Sequence, residues 1–250
     1  MNYFLTIAAS DSSGGAGLQQ DIKVAHDFGY WALSAVTGIT SQNFNKVSVV
    51  EPVKPELLKN QIDQCLSAFS VKTVKIGALC SLENIIVIAE SLKKYKCKIV
   101  VLDPVLFSTG GQEFLPHSAL NILKDNLFPL STLITPNKNE FELLTESRIE
   151  NIEDAVKIAK ELCKKWNTSI YIKGGHFNYH NIKEALVTNT NIYWFERDRK
   201  MFSYSHGTGC TISTALACLL GDNIDLVSAY QLANEYLVKY YSSIQKRFKS

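Results

Sequence analysis

Ser205-His206-Gly207-Thr208-Gly209-Cys210-Thr211 runs directly into the small-residue apolar stretch 212–220. A glycine-flanked turn that opens a helix leaves backbone N–H groups unpaired, and the helix dipole adds partial positive charge there. Such a turn suits an anion, a transferring phosphoryl group among them, although it also opens ordinary core helices. Cys210 falls in the first helical turn, where the amides could lower a thiol pKa from about 8.5 and make it a base or polar contact near neutral pH. A buried space-filler is the other reading of this cysteine. Asp103 ends the apolar run 99–102, and Glu140 lies just past another strand end in Thr135-Pro136-Asn137-Lys138-Asn139-Glu140. Two carboxylates and an asparagine at neighbouring strand ends suit Mg²⁺ held through water beneath a nucleotide. Glu140 would equally serve as a first-turn helix acid. Lys173-Gly174-Gly175 sets a cation where backbone can approach a phosphate closely. The glycine-rich loop 10–17 has no phosphate-binding lysine, which assigns it to the acceptor side. Walker A and G-x-G-x-x-G patterns are both absent, against a P-loop enzyme or a common dinucleotide-binding dehydrogenase. His176 and His180 stand four apart in a loop-like segment without a third ligand, so metal ligation is not expected there.

These groups need a frame. Strands are predicted at 4–9, 35–39, 73–77, 99–103, 132–135 and 170–173, most of them short, β-branched and apolar on both faces. That is the pattern of parallel strands covered by helices on both sides. Ile152, Ala155, Val156, Ala159, Leu162, Cys163 and Trp166 follow a helical period, as do Leu58, Ile62, Cys65, Leu66 and Phe69. Asn151 suits the cap of the first helix, and Pro55 the first turn of the second. The alternation predicts an α/β fold: a three-layer αβα sandwich with a mainly parallel central sheet, one domain over 1–250. Segments 47–53 and 182–195 break the alternation and read as extended strands with polar faces, a flap or edge hairpin near the site. A helix over 225–241 closes the chain. In open α/β sheets ligands bind beyond the carboxyl ends of the strands, and here those ends carry a disproportionate share of the polar residues and glycines.

Composition removes several classes. The 250 residues are 46% apolar and 20% charged, with a formal net charge of +2, so no electrostatic case exists for nucleic acid or a membrane surface. The one basic cluster, Lys246-Arg247-Phe248-Lys249, reads as a frayed end. No apolar run approaches the roughly 18 residues that cross a bilayer, and Met1–Ile7 lacks the basic start of a signal peptide. The six cysteines include no C-x-x-C pair, which fits reduced thiols in a cytoplasmic protein.

Taken in order, the motifs resemble the hydroxymethylpyrimidine/phosphomethylpyrimidine kinases of the ribokinase-like superfamily over nearly the whole chain. They are Leu5-Thr6-Ile7-Ala8-Ala9-Ser10-Asp11-Ser12-Ser13-Gly14-Gly15-Ala16-Gly17, Gln19-Gln20-Asp21, Thr40-Ser41-Gln42-Asn43, Val74-Lys75-Ile76-Gly77, Val101-Leu102-Asp103-Pro104-Val105, Leu133-Ile134-Thr135-Pro136-Asn137, Lys173-Gly174-Gly175-His176 and His206-Gly207-Thr208-Gly209-Cys210-Thr211. The resemblance implies ATP-dependent phosphorylation of 4-amino-5-hydroxymethyl-2-methylpyrimidine and then of its monophosphate, in thiamine biosynthesis. It places Gln42 on the aminopyrimidine edge, with Asp21, Val105, Gly15 and Gly17 completing that pocket. Gly207, Thr208, Gly209 and Cys210 would form the anion hole, with Cys210 where many relatives have a catalytic aspartate. Asp103, Asn137, Glu140 and Lys173 would hold Mg-ATP, with Asp103 and Glu140 towards the metal. A homodimer follows by analogy. Three departures bear on substrate choice: Ala9 replaces a usual glycine, Ala78 replaces a methionine that packs on the pyrimidine, and Phe107-Ser108-Thr109-Gly110-Gly111 replaces a stretch that often carries a lysine. The roomier pocket at Ala78 keeps a pyridoxine/pyridoxal kinase open, and a non-catalytic pyrimidine-sensing protein is the alternative from another class.

Overall fold

The computed structural model describes residues 1–108, 110–200, 202 and 206–247. Strand β1 (Asn2–Ser10) leads into helix α1 (Gly17–Asp27), followed by β2 (Tyr30–Gln42), β3 (Val47–Pro52), α2 (Pro55–Ala68), β4 (Val71–Ile76) and α3 (Leu82–Tyr95). The chain continues through β5 (Val100–Leu102), α4 (Leu120–Asn126), β6 (Leu133–Ile134), α5 (Lys138–Thr145), α6 (Ile152–Trp166) and β7 (Ser169–Ile172). It ends with β8 (Ile182–Val187), β9 (Ile192–Arg197), α7 (Thr208–Gly221) and α8 (Leu226–Arg247). One nine-stranded sheet runs in the order β3-β2-β1-β4-β5-β6-β7-β8-β9. The six strands from β2 to β7 in that order are mutually parallel, and β3, β8 and β9 join antiparallel at the two edges.

Alternation along each strand divides the core in two. Leu5, Ile7, Val100, Leu102, Ile134, Ile170 and Ile172 face α2 to α6, while Phe4, Val101, Leu133 and Tyr171 face α1, α7 and α8. Both faces being covered is what makes these strands near-continuous apolar runs. All six predicted central strands are present, and β2 runs beyond 35–39 at both ends, where polar Ser34, Thr40, Ser41 and Gln42 interrupt the apolar pattern. The edge segments are also where expected. β8 departs from the expected polar face, being buried at five of its six positions beneath α6 and α8.

Local chemistry fixes several helix ends. Asn151 caps α6 by accepting from the Asp154 N–H at 2.9 Å, Pro55 opens α2, and Asn137 with Glu140 forms a reciprocal capping box on α5. The closing helix runs to Arg247, six residues beyond the prediction; Phe248 and Lys249 of the basic cluster lie outside the described residues. No helix among the described residues is long and apolar enough to cross a membrane. Asn151→Ala should lower the urea unfolding free energy by about 1 kcal/mol while leaving kcat within twofold, since neither Asn151 nor its partner Asp154 lines the cavity of the site. An unchanged unfolding midpoint would contradict the assigned cap.

Candidate active site

Six parallel strands present their carboxyl ends to one edge of the sheet, and the site is assembled there. β5 ends at Asp103, whose N–H donates to Ile76 O of β4. β6 ends at Thr135, and Asn137 bridges to Lys173 just past β7. This register brings three charges together. Lys173 Nζ lies 2.7 Å from Asp103 Oδ1 and 3.6 Å from Glu140 Oε2, while Thr135 Oγ1 donates to Asp103 Oδ1 at 3.1 Å. Glu140 Oε2 also accepts from the Asn137 N–H at 2.7 Å. Burial pushes the Glu140 carboxyl up to about 7 and Asp103 adds to the rise, against the pull of Lys173. Burial acts to lower Lys173, but the two carboxylates outweigh it and hold the ammonium above its ordinary value.

The anion-hole turn meets this triad. Gly207 is the left-handed residue that starts α7, with φ +81°, and a Cβ there would stand 1.9 Å from Gly15 O. A Cβ on Gly209 would lie 3.5 Å from Asp103 Oδ2 and 3.6 Å from Lys173 Nζ. The amides at the start of α7 therefore sit against both the β1–α1 loop and the Lys173 cation. Across the cavity, Ala9, Val47, Ala78, Cys80 and Phe114 form a small apolar cluster with Val105 packed on it. Cys80 adopts φ +66°, and Gly38 leaves room for it, since a Cβ on Gly38 would meet Cys80 Sγ at 2.6 Å. Asn84 of α3 holds this wall by donating to Thr37 O and Leu79 O at 2.9 and 2.8 Å.

A single cavity of about 280 Å³ joins these parts. Gln42, Gly17 and Val105 line it together with Asp103, Asn137, Glu140, Lys173, Gly207, Thr208, Gly209 and Cys210. The phosphomethylpyrimidine kinase family profile matches residues 11–249. The chain belongs to the phosphomethylpyrimidine kinase family. It is 36% identical over 233 residues to the thiamine biosynthesis bifunctional protein ThiED of Geobacter sulfurreducens, covering 93% of this chain and 48% of that protein. The chain thus spans about half the length of that relative. The crystal structure of phosphomethylpyrimidine kinase from Clostridium difficile superposes with a TM-score of 0.85 at 33% identity, covering 96% of this chain and 99% of the other. Pyridoxal kinase from Staphylococcus aureus, solved in complex with AMP-PCP and pyridoxal, gives 0.86 at 26% identity over 95% of this chain and 87% of that one. The fold is ribokinase-like, and the family is one of kinases.

Three expectations change within this family frame. Asp21 does not reach the cavity. It is fully buried on α1, accepting from Thr6 Oγ1 at 2.6 Å, Thr214 Oγ1 at 2.8 Å and Lys75 Nζ at 2.9 and 3.0 Å. Gly15 also stands behind the wall, as the surface on which Gly207 rests. Cys210 is not an activated thiolate: burial, with the nearby Asp21 and Asp103 carboxylates, outweighs Lys75 and the Gly17 amide and pushes the thiol up to about 11. The helix N-terminus therefore loses to desolvation at this position.

Reasoning from sequence also missed residues that line the cavity. Lys75 was visible only as part of Val74-Lys75-Ile76-Gly77; burial lowers its basicity, but Asp21 leads the charges that raise it above the ordinary range. Asp11 and His206 sit in quoted motifs, yet nothing in their spacing announces that they pair across 195 positions at 2.9 Å. Glu184 and Arg197 also line the cavity, joined at 3.2 Å. Glu184 Oε1 accepts from the Gly174 N–H at 3.1 Å and so anchors the turn that follows Lys173.

The raised Glu140 carboxyl sets a pH dependence. With a folded value near 7 against 4.5 ordinarily, Glu140 contributes most to stability below pH 4.5, and that contribution is lost as pH rises through 7. Thermal melts should show wild type losing Tm relative to Glu140→Gln between pH 5.5 and 8. A Tm difference that stays constant across that range would overturn the assignment.

Proposed function

We propose that this chain is an ATP-dependent kinase that phosphorylates the hydroxymethyl group of 4-amino-5-hydroxymethyl-2-methylpyrimidine and then its monophosphate, in thiamine biosynthesis. The observation that carries the reading is the single cavity lined both by Gln42 with the apolar wall and by the Gly207–Cys210 turn. A flat ring held against Ala78 and Val105 would direct its side arm towards the amides of Gly207, Thr208 and Gly209. Phosphoryl transfer demands positioning and charge stabilisation more than covalent help. The amides and Lys173 supply donors to the phosphoryl oxygens, and Asp103 keeps Lys173 aimed.

Asp103 and Glu140 are the residues that would face Mg²⁺. Among the described residues no three His, Cys, Asp or Glu side chains cluster to cage an ion. Two hard oxygen donors beside a phosphate site fit a cation that keeps water and nucleotide oxygens as most of its ligands. Bound there, Mg²⁺ would neutralise charge on the phosphates. Asn137 orders the edge of this site through its cap on α5.

Exposed Trp31 and Ile39 on β2 and Val49 on β3 support a homodimer through that sheet edge. Six free cysteines agree with a reducing cytoplasm. One kinase domain over 1–250 agrees with the single continuous sheet.

The likeness to pyridoxal kinases and the small Ala78 favour a second reading, in which pyridoxal is the acceptor. A coupled ADP-release assay with both acceptors, followed by mass spectrometry, separates them. Hydroxymethylpyrimidine should give mono- and diphosphate products with the higher kcat/KM. Higher kcat/KM with pyridoxal would favour the second reading, and pyrimidine binding without ADP release would indicate a sensor. Because the Cys210 thiol is protonated at neutral pH, Cys210→Ala should lower kcat by less than about tenfold, below the usual range for loss of a general base. A 10³-fold loss at saturating substrate would restore a chemical role to the thiol.

A further inference from the structure

Lys173 is held in two ways. Its ammonium lies 2.7 Å from Asp103 Oδ1 and 3.6 Å from Glu140 Oε2. Those carboxylates are the ones that would face Mg²⁺, so in a loaded site that hold is shared with a second cation. The other hold is on the main chain. The Lys173 N–H donates to Pro136 O at 3.0 Å, and the next amide, that of Gly174, donates to Glu184 Oε1 at 3.1 Å. With the peptides on both sides of its Cα tied, the direction in which the Lys173 side chain leaves the backbone is set.

Glu184 reaches this place through the sheet. β8 joins β7 antiparallel with Ile172 opposite Ala185, so β8 begins where β7 ends. Gly174 is pressed against it: a Cβ there would stand 2.0 Å from Lys183 O and 2.9 Å from Glu184 Cγ. The tight turn Gly174–His176 has no side-chain cap from Lys173, the residue before it, because an ammonium offers no acceptor. Glu184, only 2% exposed, supplies one from the neighbouring strand. Its other oxygen accepts from Arg197 Nε at 3.2 Å and from the Tyr230 hydroxyl at 2.7 Å. A carboxylate can accept on both oxygens at once, whereas a carboxamide has one acceptor and would turn its nitrogen on Gly174 or on Arg197.

We infer that Glu184 is a positioning residue for phosphoryl transfer: by accepting from the Gly174 amide it aims Lys173 at the nucleotide phosphates and so governs affinity for the nucleoside triphosphate. This rests on the kinase reading, though not on which alcohol is the acceptor. Three roles for the residue differ in what they do to binding. As a negative charge alone, in a cavity that receives a polyanion, its neutralisation would tighten ATP binding. As a purely structural group, its loss would lower stability and the active fraction while leaving both KM values in place. As a positioning residue, its neutralisation weakens ATP and spares the acceptor, since Gln42 on β2 and Glu184 on β8 stand near opposite edges of the sheet.

The test is calorimetric titration of ATP with Mg²⁺ into wild type and Glu184→Gln, without acceptor. Glu184→Gln should raise the Kd by about tenfold, the scale of losing a hydrogen bond to a charged group. Steady-state ADP release should show KM for ATP rising by a similar factor, with KM for 4-amino-5-hydroxymethyl-2-methylpyrimidine within about twofold of wild type. Tyr230→Phe takes a donor from the other oxygen, keeps the ring stacked on Phe195 and leaves the Gly174 bond in place, so its Kd should match wild type. Should Glu184→Gln fail to fold, Glu184→Asp keeps the charge, withdraws it from Gly174 by one methylene, and should also raise the Kd. An unchanged or lower Kd in the folded Glu184 variant, a joint rise in both KM values, or an equal rise in Tyr230→Phe would each overturn the proposal. ATP binding by wild type without turnover of the pyrimidine would overturn the functional reading and leave the comparison of Kd values to decide this one. Absence of ATP binding by wild type would overturn both.

Discussion

The site depends on the close approach of two loops that come from opposite ends of the chain. Gly207 rests on the Gly15 carbonyl so tightly that any side chain would overlap it, and one residue earlier His206 reaches Asp11. The left-handed backbone at Gly207 and the absent Cβ are both required at that contact. Without it the amides opening α7 would have no fixed relation to the acceptor pocket, and the two halves of the cavity would be separate surfaces. Tyr241 of α8 reinforces the arrangement from behind, donating to His206 O at 2.9 Å.

Around that contact the protein manages buried charge by pairing. Lys75 and Asp21 have no exposed side-chain surface, and the two hydroxyls of Thr6 and Thr214 complete the coordination of the carboxylate. Such a pair contributes little net stability over an apolar replacement, because desolvation offsets the attraction, but it tolerates no single deletion. The Lys173 cluster differs in composition. One cation faces two carboxylates, and burial, with the Asp103 charge added, drives the Glu140 carboxyl upward against the pull of that cation. A cavity edge with excess negative charge around a lysine is suited to receiving both a nucleotide and a divalent cation.

Much of this was legible in the sequence. Short apolar strands and glycine-rich turns follow local rules, so the six central strands, the Asn151 cap and the chemistry-bearing strand ends could be placed from spacing alone. The Gly207–Cys210 turn and Lys173 were found for the same reason. What stayed hidden depends on three-dimensional neighbours. Asp21 lies on a helix whose position relative to the cavity no periodicity reports, and its true partner Lys75 is 54 residues away. The Cys210 thiol was misjudged because a helix N-terminus is visible in sequence while the desolvation around it is not. Asp11 and His206 each look like ordinary loop residues until the fold brings them together.

The placement of α7 also shapes how the protein comes into being. Its apolar residues cover Phe4, Val101 and Leu133 on strands made much earlier. During synthesis by the ribosome, only α1 covers that face of the sheet until the last fifth of the chain emerges. A nascent chain therefore carries a finished sheet with one greasy side only partly covered, a form prone to self-association and a natural client for a chaperone. Catalytic competence arrives only with the same segment that ends this exposure.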